Sequence, residues 1–164
     1  MRTKLTICFL AQAFALAGCA TQQTAQDTQA VKQYCAKEYA DPRLDPLRSK
    51  IVLPIIVGTP QPIEILANRE RPTAQERPVI LLLSQLREDC NKYALDQLGP
   101  PPAYRAASHD RVSEALADLY AGDLTYGGFA KTLLYIGERD ALGREDLDAA
   151  MQQKERWLDQ ELWN

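Results

Sequence analysis

The sequence predicts an all-α fold, a compact bundle of four or five antiparallel amphipathic helices with an irregular Pro-rich insertion after the first helix. Two observations carry this prediction. Apolar residues recur at the 3.6-residue spacing of an amphipathic helix in several segments, and capping or stop residues separate those segments. The chain has 164 residues, of which 46% are apolar and 25% charged, which is enough for one globular core.

The chain begins with a pattern that is typical of an export signal. Arg2 and Lys4 precede an apolar run from Leu5 to Leu16. This run is too short to cross a bilayer, which takes about 20 residues, and it fits the core of a signal peptide. We therefore assign residues 1–18 to a removable signal peptide, residues 19–28 to a flexible tether and residues 29–164 to a single helical domain.

The segment Leu16-Ala17-Gly18-Cys19 resembles the lipobox of bacterial lipoproteins. The resemblance implies a diacylglyceryl group on the thiol of Cys19, cleavage before this residue, and in many species a further acyl chain, such as palmitate, on its amine. Several acyl chains hold a protein stably at a membrane. Ala20 stands where an aspartate commonly marks retention in the inner membrane, which implies the outer membrane, on its periplasmic or surface face. The alternatives are an ordinary signal peptide with an incidental cysteine, or a short buried helix.

The first helix is predicted from about Thr28 to Tyr39, because its apolar residues fall at helical spacing and Asp41-Pro42 ends the pattern. Asp45-Pro46 has the N-cap and first-turn residues of a new helix. Proline and glycine then break up residues 41–72, and the β-branched run from Ile51 to Val57 favours a short extended piece. The apolar content of this insertion predicts that it packs across the bundle.

The clearest helix of the chain follows the capping box Thr73-Ala74-Gln75-Glu76. Its apolar stripe consists of Val79, Leu82, Leu83, Leu86, Cys90 and Tyr93. Pro78 lies close to the start of this helix and predicts a bend or a delayed onset. Gly99 and the prolines at 100–102 end it, although such a run also suits a rigid recognition loop.

Three more helices are predicted in the last third of the chain. One runs from about Tyr104 to Ala121 and stops at Gly122. The next is capped by Thr125, and two glycines in its first turn, Gly127 and Gly128, predict close packing against a neighbour. The last runs from about Arg144 to Trp163, with acidic residues crowded at its start as the helix dipole favours. The stripes of these helices are Val112, Ala115, Leu116 and Leu119; Phe129, Leu133 and Ile136; and Leu147, Ala150, Met151, Lys154, Leu158 and Leu162.

Two cysteines remain for the mature domain. Cys8 leaves with the signal and Cys19 is committed to lipid, so Cys35 and Cys90 are left over. They lie on apolar faces of different predicted helices, and such cysteines usually pair in the oxidising compartment that an exported protein enters. The sequence therefore predicts a disulfide between Cys35 and Cys90, with inert buried thiols or a redox couple as alternatives.

The sequence contains no recognisable catalytic set. His109 is the only imidazole, and its neighbours Ser108 and Asp110 point in other directions from a helix. We expect Ser108 to cap a helical turn and His109 to be exposed. Nucleotide-binding, hydrolase and metal motifs are missing, and the acidic pairs suit a solvated surface better than a glycosidase site. We therefore predict a protein that is not an enzyme, with no cofactor and no metal.

The chain ends in an aromatic and apolar cluster that includes Trp157 and Trp163. Closure of the bundle core is one interpretation of this cluster. Contact of the two tryptophans with a partner or with a membrane interface is the other, because exposed tryptophans favour both.

The charge of the domain excludes one class of partner. Without Arg2 and Lys4 the chain carries 17 basic and 22 acidic residues, a net charge of −5, whereas nucleic-acid binders normally show a basic excess. We predict a lipid-anchored cell-envelope protein, a non-enzymatic interaction or structural module whose partner is an envelope protein or a cell-wall component. The alternative is a lipoprotein that resembles lysozyme inhibitors or binds a small hydrophobic ligand, and an enclosed cavity would favour the latter.

The segments TAQERP, REDC and LYAGDLTYGGFAK, at positions 73–78, 87–90 and 119–131, resemble small helical lipoproteins of proteobacteria. The resemblance implies a helical domain behind the anchor. It implies no activity and assigns no site residue.

Overall fold

The computed structural model describes residues 25–162, with side chains for residues 25–149 and 151–153. Its elements are helix α1 at residues 25–39, a 3-10 helix at Pro42–Leu47, α2 at Ile63–Leu66, α3 at Arg77–Leu98, α4 at Ala103–Ala121 and α5 at Tyr126–Leu162. The described part of the chain, including the run from Ile51 to Val57, contains no strand. The predicted all-α bundle is confirmed, with four long helices.

Helices α3, α4 and α5 run antiparallel to one another in succession. The hydroxyl of Ser108 on α4 donates a hydrogen bond to Asp140 on α5 at 2.7 Å, and Arg87 on α3 donates one to Ser113 on α4 at 3.0 Å. In each pair, the two residues lie nearly the same number of positions from the turn that joins their helices. The short connections at 99–102 and 122–125 therefore make two consecutive helical hairpins.

Helix α1 packs antiparallel against α3. The Cα atoms of Cys35 and Cys90 are 5.3 Å apart, and the rings of Tyr34 and Tyr93 stack with their centroids 4.3 Å apart. The beginning of α1 therefore lies at the same end of the molecule as the end of α3. Helix α1 is already present at residue 25, so the last part of the predicted tether is helical, and the start predicted near Thr28 was too late.

The core is one cluster contributed by every long helix and by the 3-10 helix. The predicted stripe of α4 and the Phe129, Leu133 and Ile136 stripe are all buried. Ile80 and Tyr126 are buried as well, and neither belongs to a predicted stripe. The cluster comprises Tyr39, Leu44, Leu47, Ile51, Ile80, Leu83, Leu86, Val112, Ala115, Leu116, Leu119, Tyr126, Phe129, Leu133 and Ile136.

The Pro-rich insertion packs against α5, as predicted. The backbone N–H of Gly58 donates to the carbonyl of Leu133 at 3.2 Å, and that of Gly127 donates to the carbonyl of Asn68 at 2.9 Å. A Cβ on Gly127 would lie 2.5 Å from this same carbonyl oxygen, which confirms that this glycine permits a close approach. Gly128 is different, because its nearest neighbours are the side chains of the adjacent Leu124 and Thr125.

One predicted cap is wrong. The insertion begins with the 3-10 helix, and its N-cap is Asp41, whose carboxylate accepts from the backbone N–H of Arg43 at 2.8 Å. Asp45 lies inside this helix rather than before it. Pro42 fills the first-turn position of this 3-10 helix. The dipeptide Asp41-Pro42 therefore ends α1 and also starts the next element.

The two helices predicted at the end of the chain are a single helix, α5. The predicted break before Arg144 does not exist. Gly143 continues the helix at a point where a Cβ would come within 2.8 Å of the Cβ of Tyr104, so it permits α4 and α5 to approach each other. Residues 145–162 have no residue of α4 opposite them, and Leu147 and Met151 on this projecting part are exposed.

The predicted capping box before α3 is confirmed. The carboxylate of Glu76 accepts hydrogen bonds from the backbone N–H and the hydroxyl of Thr73, both at 2.9 Å, and the Thr73 hydroxyl accepts from the N–H of Glu76 at 3.3 Å. The box closes the turn just before the helix, which begins at Arg77 with Pro78 in its first turn. Pro78 therefore delays the onset of the helix and does not interrupt it.

A lysine from the insertion joins this capping box. The ammonium of Lys50 lies 2.8 Å from Glu76 and 2.6 Å from Glu70, and 5.0 Å from the ring centroid of Tyr126. Burial by itself would raise the pKa of the Glu76 carboxyl, but hydrogen bonds from Lys50 and Thr73 lower it from 4.5 to about 2. The pKa of Lys50 is raised above its ordinary value, mainly by its hydrogen bond to Glu70 and next by its hydrogen bond to Glu76.

We expect this cluster to make the free energy of unfolding depend on pH in the acid range. A carboxyl with a lowered pKa stabilises the fold above its unfolded-state pKa, and this contribution is lost as the pH falls from about 4.5 to about 2. Replacement of Lys50 by methionine should lower the free energy of unfolding at pH 7 by about 2 kcal/mol and flatten its pH dependence in that window. Urea unfolding of both proteins across this range measures the effect, and an unchanged slope in Lys50→Met would contradict it.

Candidate functional site

A groove with a volume of about 870 Å³ opens between the second half of α3, the first half of α4 and the middle of α5. One wall is the insertion at residues 55–57, and the turn at 99–102 closes one side. We call it the arginine groove, after three arginines that line it. Its volume falls within the range of about 300–1,000 Å³ that is usual for ligand sites. The groove is lined by Ile55, Ile56, Val57, Arg87, Asn91, Ala94, Leu95, Leu98, Gly99, Pro100, Pro101, Pro102, Arg105, Ala106, Ser108, His109, Asp110, Val112, Asp140 and Arg144.

The apolar part of the groove is left open to solvent. Ile56 from the insertion faces it, together with Leu95 and Leu98 from the last turns of α3, and all three side chains are exposed. Val112 beneath them belongs to the buried core. Exposed apolar side chains that gather in one groove are more typical of binding sites than of plain surface.

The arginines lie at two levels. Arg87 is the inner one, with a side chain only 11% exposed. Its guanidinium donates to Ser113 at 3.0 Å and to the carbonyl of His109 at 3.1 Å, and burial lowers its pKa from the ordinary value. Arg105 and Arg144 are exposed at the outer end. Neither of these two makes an ion pair with a residue that the structure describes.

Two expectations for the centre of the groove are wrong. Ser108 does not cap a turn; it is buried within α4, where its hydroxyl contacts Asp140 and the carbonyl of Tyr104. His109 is not exposed, because only 22% of its side chain reaches solvent. Its Nε2 lies 3.3 Å from Glu88, but the geometry is not that of a hydrogen bond and this buried nitrogen has no partner among the described residues. The neighbour Asp110 points outward and is 86% exposed.

The glycine-proline turn ends α3, as predicted, and it also lines the groove. Gly99 ends α3 with a φ of 76°, in the left-handed region that only glycine adopts readily. The prolines at 100–102 then form one side of the groove. Because proline fixes its own backbone, this side of the groove is rigid.

The remaining predicted site residues lie away from the groove or outside the described structure. The sulfur atoms of Cys35 and Cys90 are at disulfide distance, in a part-buried position between α1 and α3. Cys19, Trp163 and the side chain of Trp157 are outside the described residues. The structure thus brings His109 and Ser108 into the groove and joins them to residues that the sequence did not single out.

The groove combines charged groups with exposed apolar side chains. Its charged groups are arginines and solvated or hydrogen-bonded carboxylates, beside an open apolar wall. Within residues 25–162, no cluster of three histidine, cysteine or acidic side chains is placed to hold a metal ion. None of the described helices combines the length and the apolar character needed to cross a membrane.

The fold and the groove define this protein as an antiparallel bundle of four long helices with an open, arginine-lined groove near one end. No known family model, curated protein or solved structure matches the chain.

Proposed function

We propose that this chain is a lipid-anchored protein of the outer membrane, attached through Cys19, whose helical domain binds a partner or ligand without catalysing a reaction. The lipobox-like segment supports the anchor. The observation that carries the binding role is the arginine groove, which keeps apolar side chains exposed beside two arginines that have no described ion pair. Burying such side chains against a ligand is favourable, at about 25 cal/mol per Å² of apolar area.

The position of the groove suits a role near the membrane. Helix α1 begins at the end of the molecule where α3 ends, and the outer end of the groove is built from this same end of α3. Six residue steps separate Cys19 from residue 25, and they span at most about 21 Å. An anchored chain would therefore hold the groove close to the lipid head groups.

The groove also bears on the alternative function. Binding of a small hydrophobic ligand gains support from its volume and from its apolar wall, although the groove is open and not an enclosed cavity. Inhibition of a lysozyme gains none, because a basic enzyme would meet arginines here. We therefore keep ligand binding as the second candidate function.

Three variants test the proposal in intact cells. Labelled palmitate should be incorporated into the wild-type chain and not into Cys19→Ser. A photo-cross-linking residue at Leu98, in the groove, should capture a specific partner or ligand, whereas the same residue at Leu81 should not. Leu81 is the matched control, because it also lies on α3 and is similarly exposed, at 50% against 46%.

Either half of the proposal can fail by itself. Persistent labelling of the Cys19→Ser chain would refute the anchor. Equal cross-linking from Leu81 and Leu98 would show that the groove is not the binding surface.

A further inference from the structure

We infer that the arginine groove binds an amphiphile with one acyl chain and an anionic head group, taken from the membrane to which the protein is tethered. The inference rests on the proposed function, since it assumes that the groove is the binding surface. It adds the chemical class of the ligand and the role of each end of the groove.

The length of the groove fits one acyl chain. It follows α3 from Arg87 to Leu98, eleven helical steps that cover about 16 Å at the usual rise per residue. The hydrocarbon core of a bilayer is about 30 Å thick, so an acyl chain in one leaflet spans about half of that distance. The two lengths agree.

The walls of the groove suit hydrocarbon. Leu95 and Leu98 from α3 and Ile56 from the insertion line it, and all three side chains are exposed. The inner arginine does not oppose this arrangement. The guanidinium of Arg87 is turned toward Ser113 and the carbonyl of His109, and the long stem of an arginine can pack against apolar groups.

The outer end of the groove suits an anion. Arg105 near the start of α4 and Arg144 on α5 both line this end, and neither makes an ion pair with a described residue. Two acids also line the groove: Asp140 accepts a hydrogen bond from Ser108, and Asp110 is 86% exposed to solvent. Guanidinium groups bind carboxylate and phosphate oxygens through paired, charge-assisted hydrogen bonds. The head group therefore lies at the outer end, and the chain runs inward along α3.

A lipid fits the groove better than an acidic peptide with apolar side chains. A peptide would bring backbone N–H and carbonyl groups that need hydrogen-bond partners once they are buried. Two walls of the groove are the helices α3 and α4, whose backbone groups are bonded within the helices. An acyl chain has no such groups. The outer end of the groove also lies at the end of the molecule from which the tether leaves.

Binding of dodecanoate tests this inference, with dodecanol as the neutral ligand of equal chain length. The protein is the chain from residue 20 onward, which keeps the described core, since every buried apolar residue that the structure describes lies between Tyr39 and Ile136. Circular dichroism first establishes that each variant is folded. Titration calorimetry should then show one saturable site for dodecanoate and weaker binding of dodecanol.

Four variants separate the two ends of the groove. Replacing both Arg105 and Arg144 by alanine should weaken dodecanoate binding by about ten-fold or more, because charge-assisted contacts are lost, and should leave dodecanol binding unchanged. Leu98→Asp should abolish binding of both ligands. Arg111→Ala and Leu81→Asp are the controls, on the same helices and outside the groove, and both should bind like the wild type.

Several outcomes would overturn the inference. The first is no saturable binding of dodecanoate. The second is equal affinity for dodecanol, or equal loss of binding in the control variants. The third is a protein that is still cross-linked at Leu98 when dodecanoate is present during irradiation; this would leave the proposed function standing with a peptide in the groove. Failure of the Cys19 anchor would not change binding in solution, so the two failures are distinguishable.

Discussion

Loss of the bond between Cys35 and Cys90 should lower the free energy of unfolding by about 4 kcal/mol. The pair closes a loop of 55 residues, and chain-entropy estimates give this magnitude for such a loop. Denaturant unfolding of the double variant Cys35→Ser/Cys90→Ser, compared with the oxidised wild type, measures the effect. Reductant should destabilise the wild type and leave the double variant unchanged.

Helix α1 should respond most strongly to this loss. Residues 25–38 of α1 are exposed or only partly buried, and Tyr39 at its end is the first residue that belongs to the buried core. The other contact between α1 and α3 described above is the stack of Tyr34 on Tyr93. We therefore expect faster amide hydrogen exchange throughout α1 in the double variant, with little change in α4. Free thiols at both positions in the exported protein, or equal exchange in the two proteins, would contradict this account.

Helical periodicity predicted most of the core because the helices bury their own apolar stripes. The four predicted residues of α4 and the three of the first half of α5 are all buried. Tyr126 is the first residue of α5 and lies three positions before Phe129, so the buried stripe begins one turn earlier than predicted. The prediction of two helices in place of α5 was wrong for a different reason. Glycine ends many helices, but it is also required where two helices come close.

The groove could not be predicted in the same way. Its walls come from residues 55–57, 87–112 and 140–144, and their meeting depends on how the Pro-rich insertion crosses α5. The local pattern around Ser108 and His109 indicated a turn and an exposed side chain. Tertiary contacts decided otherwise, because Asp140 accepts from Ser108 and the neighbouring helix covers His109.

The capping box shows where sequence reasoning works best. Thr73 and Glu76 are three residues apart and satisfy each other locally, so their contact follows from the sequence. The approach of Lys50 does not, because this residue arrives from more than twenty positions away. The local motif was therefore predicted, and its electrostatic partner was not.

The largest effect of a single methyl group is expected at Gly137, in the middle of α5. A Cβ at this position would overlap the backbone nitrogen and Cα of Gly58 in the insertion. Gly58 is itself fixed, with a φ of 73° and a hydrogen bond from its N–H to the carbonyl of Leu133. Alanine normally stabilises a helix interior by about 1 kcal/mol relative to glycine. Here the overlap with the backbone of the insertion should outweigh that gain. We expect Gly137→Ala to lower the free energy of unfolding by about 3 kcal/mol.

Gly128→Ala is the matched control, because it adds the same methyl group to the same helix. Its Cβ would meet the Oγ1 of Thr125 at 3.2 Å and no backbone of the insertion, so stability should change by less than about 1 kcal/mol. Thermal and denaturant unfolding of the two variants measure the difference. Because Gly58 follows the groove wall at residues 55–57, a folded Gly137→Ala protein should also bind dodecanoate more weakly than Gly128→Ala. Equal stability of the two variants would show that the insertion moves away from α5 at little cost, and that the groove wall is not held by this contact.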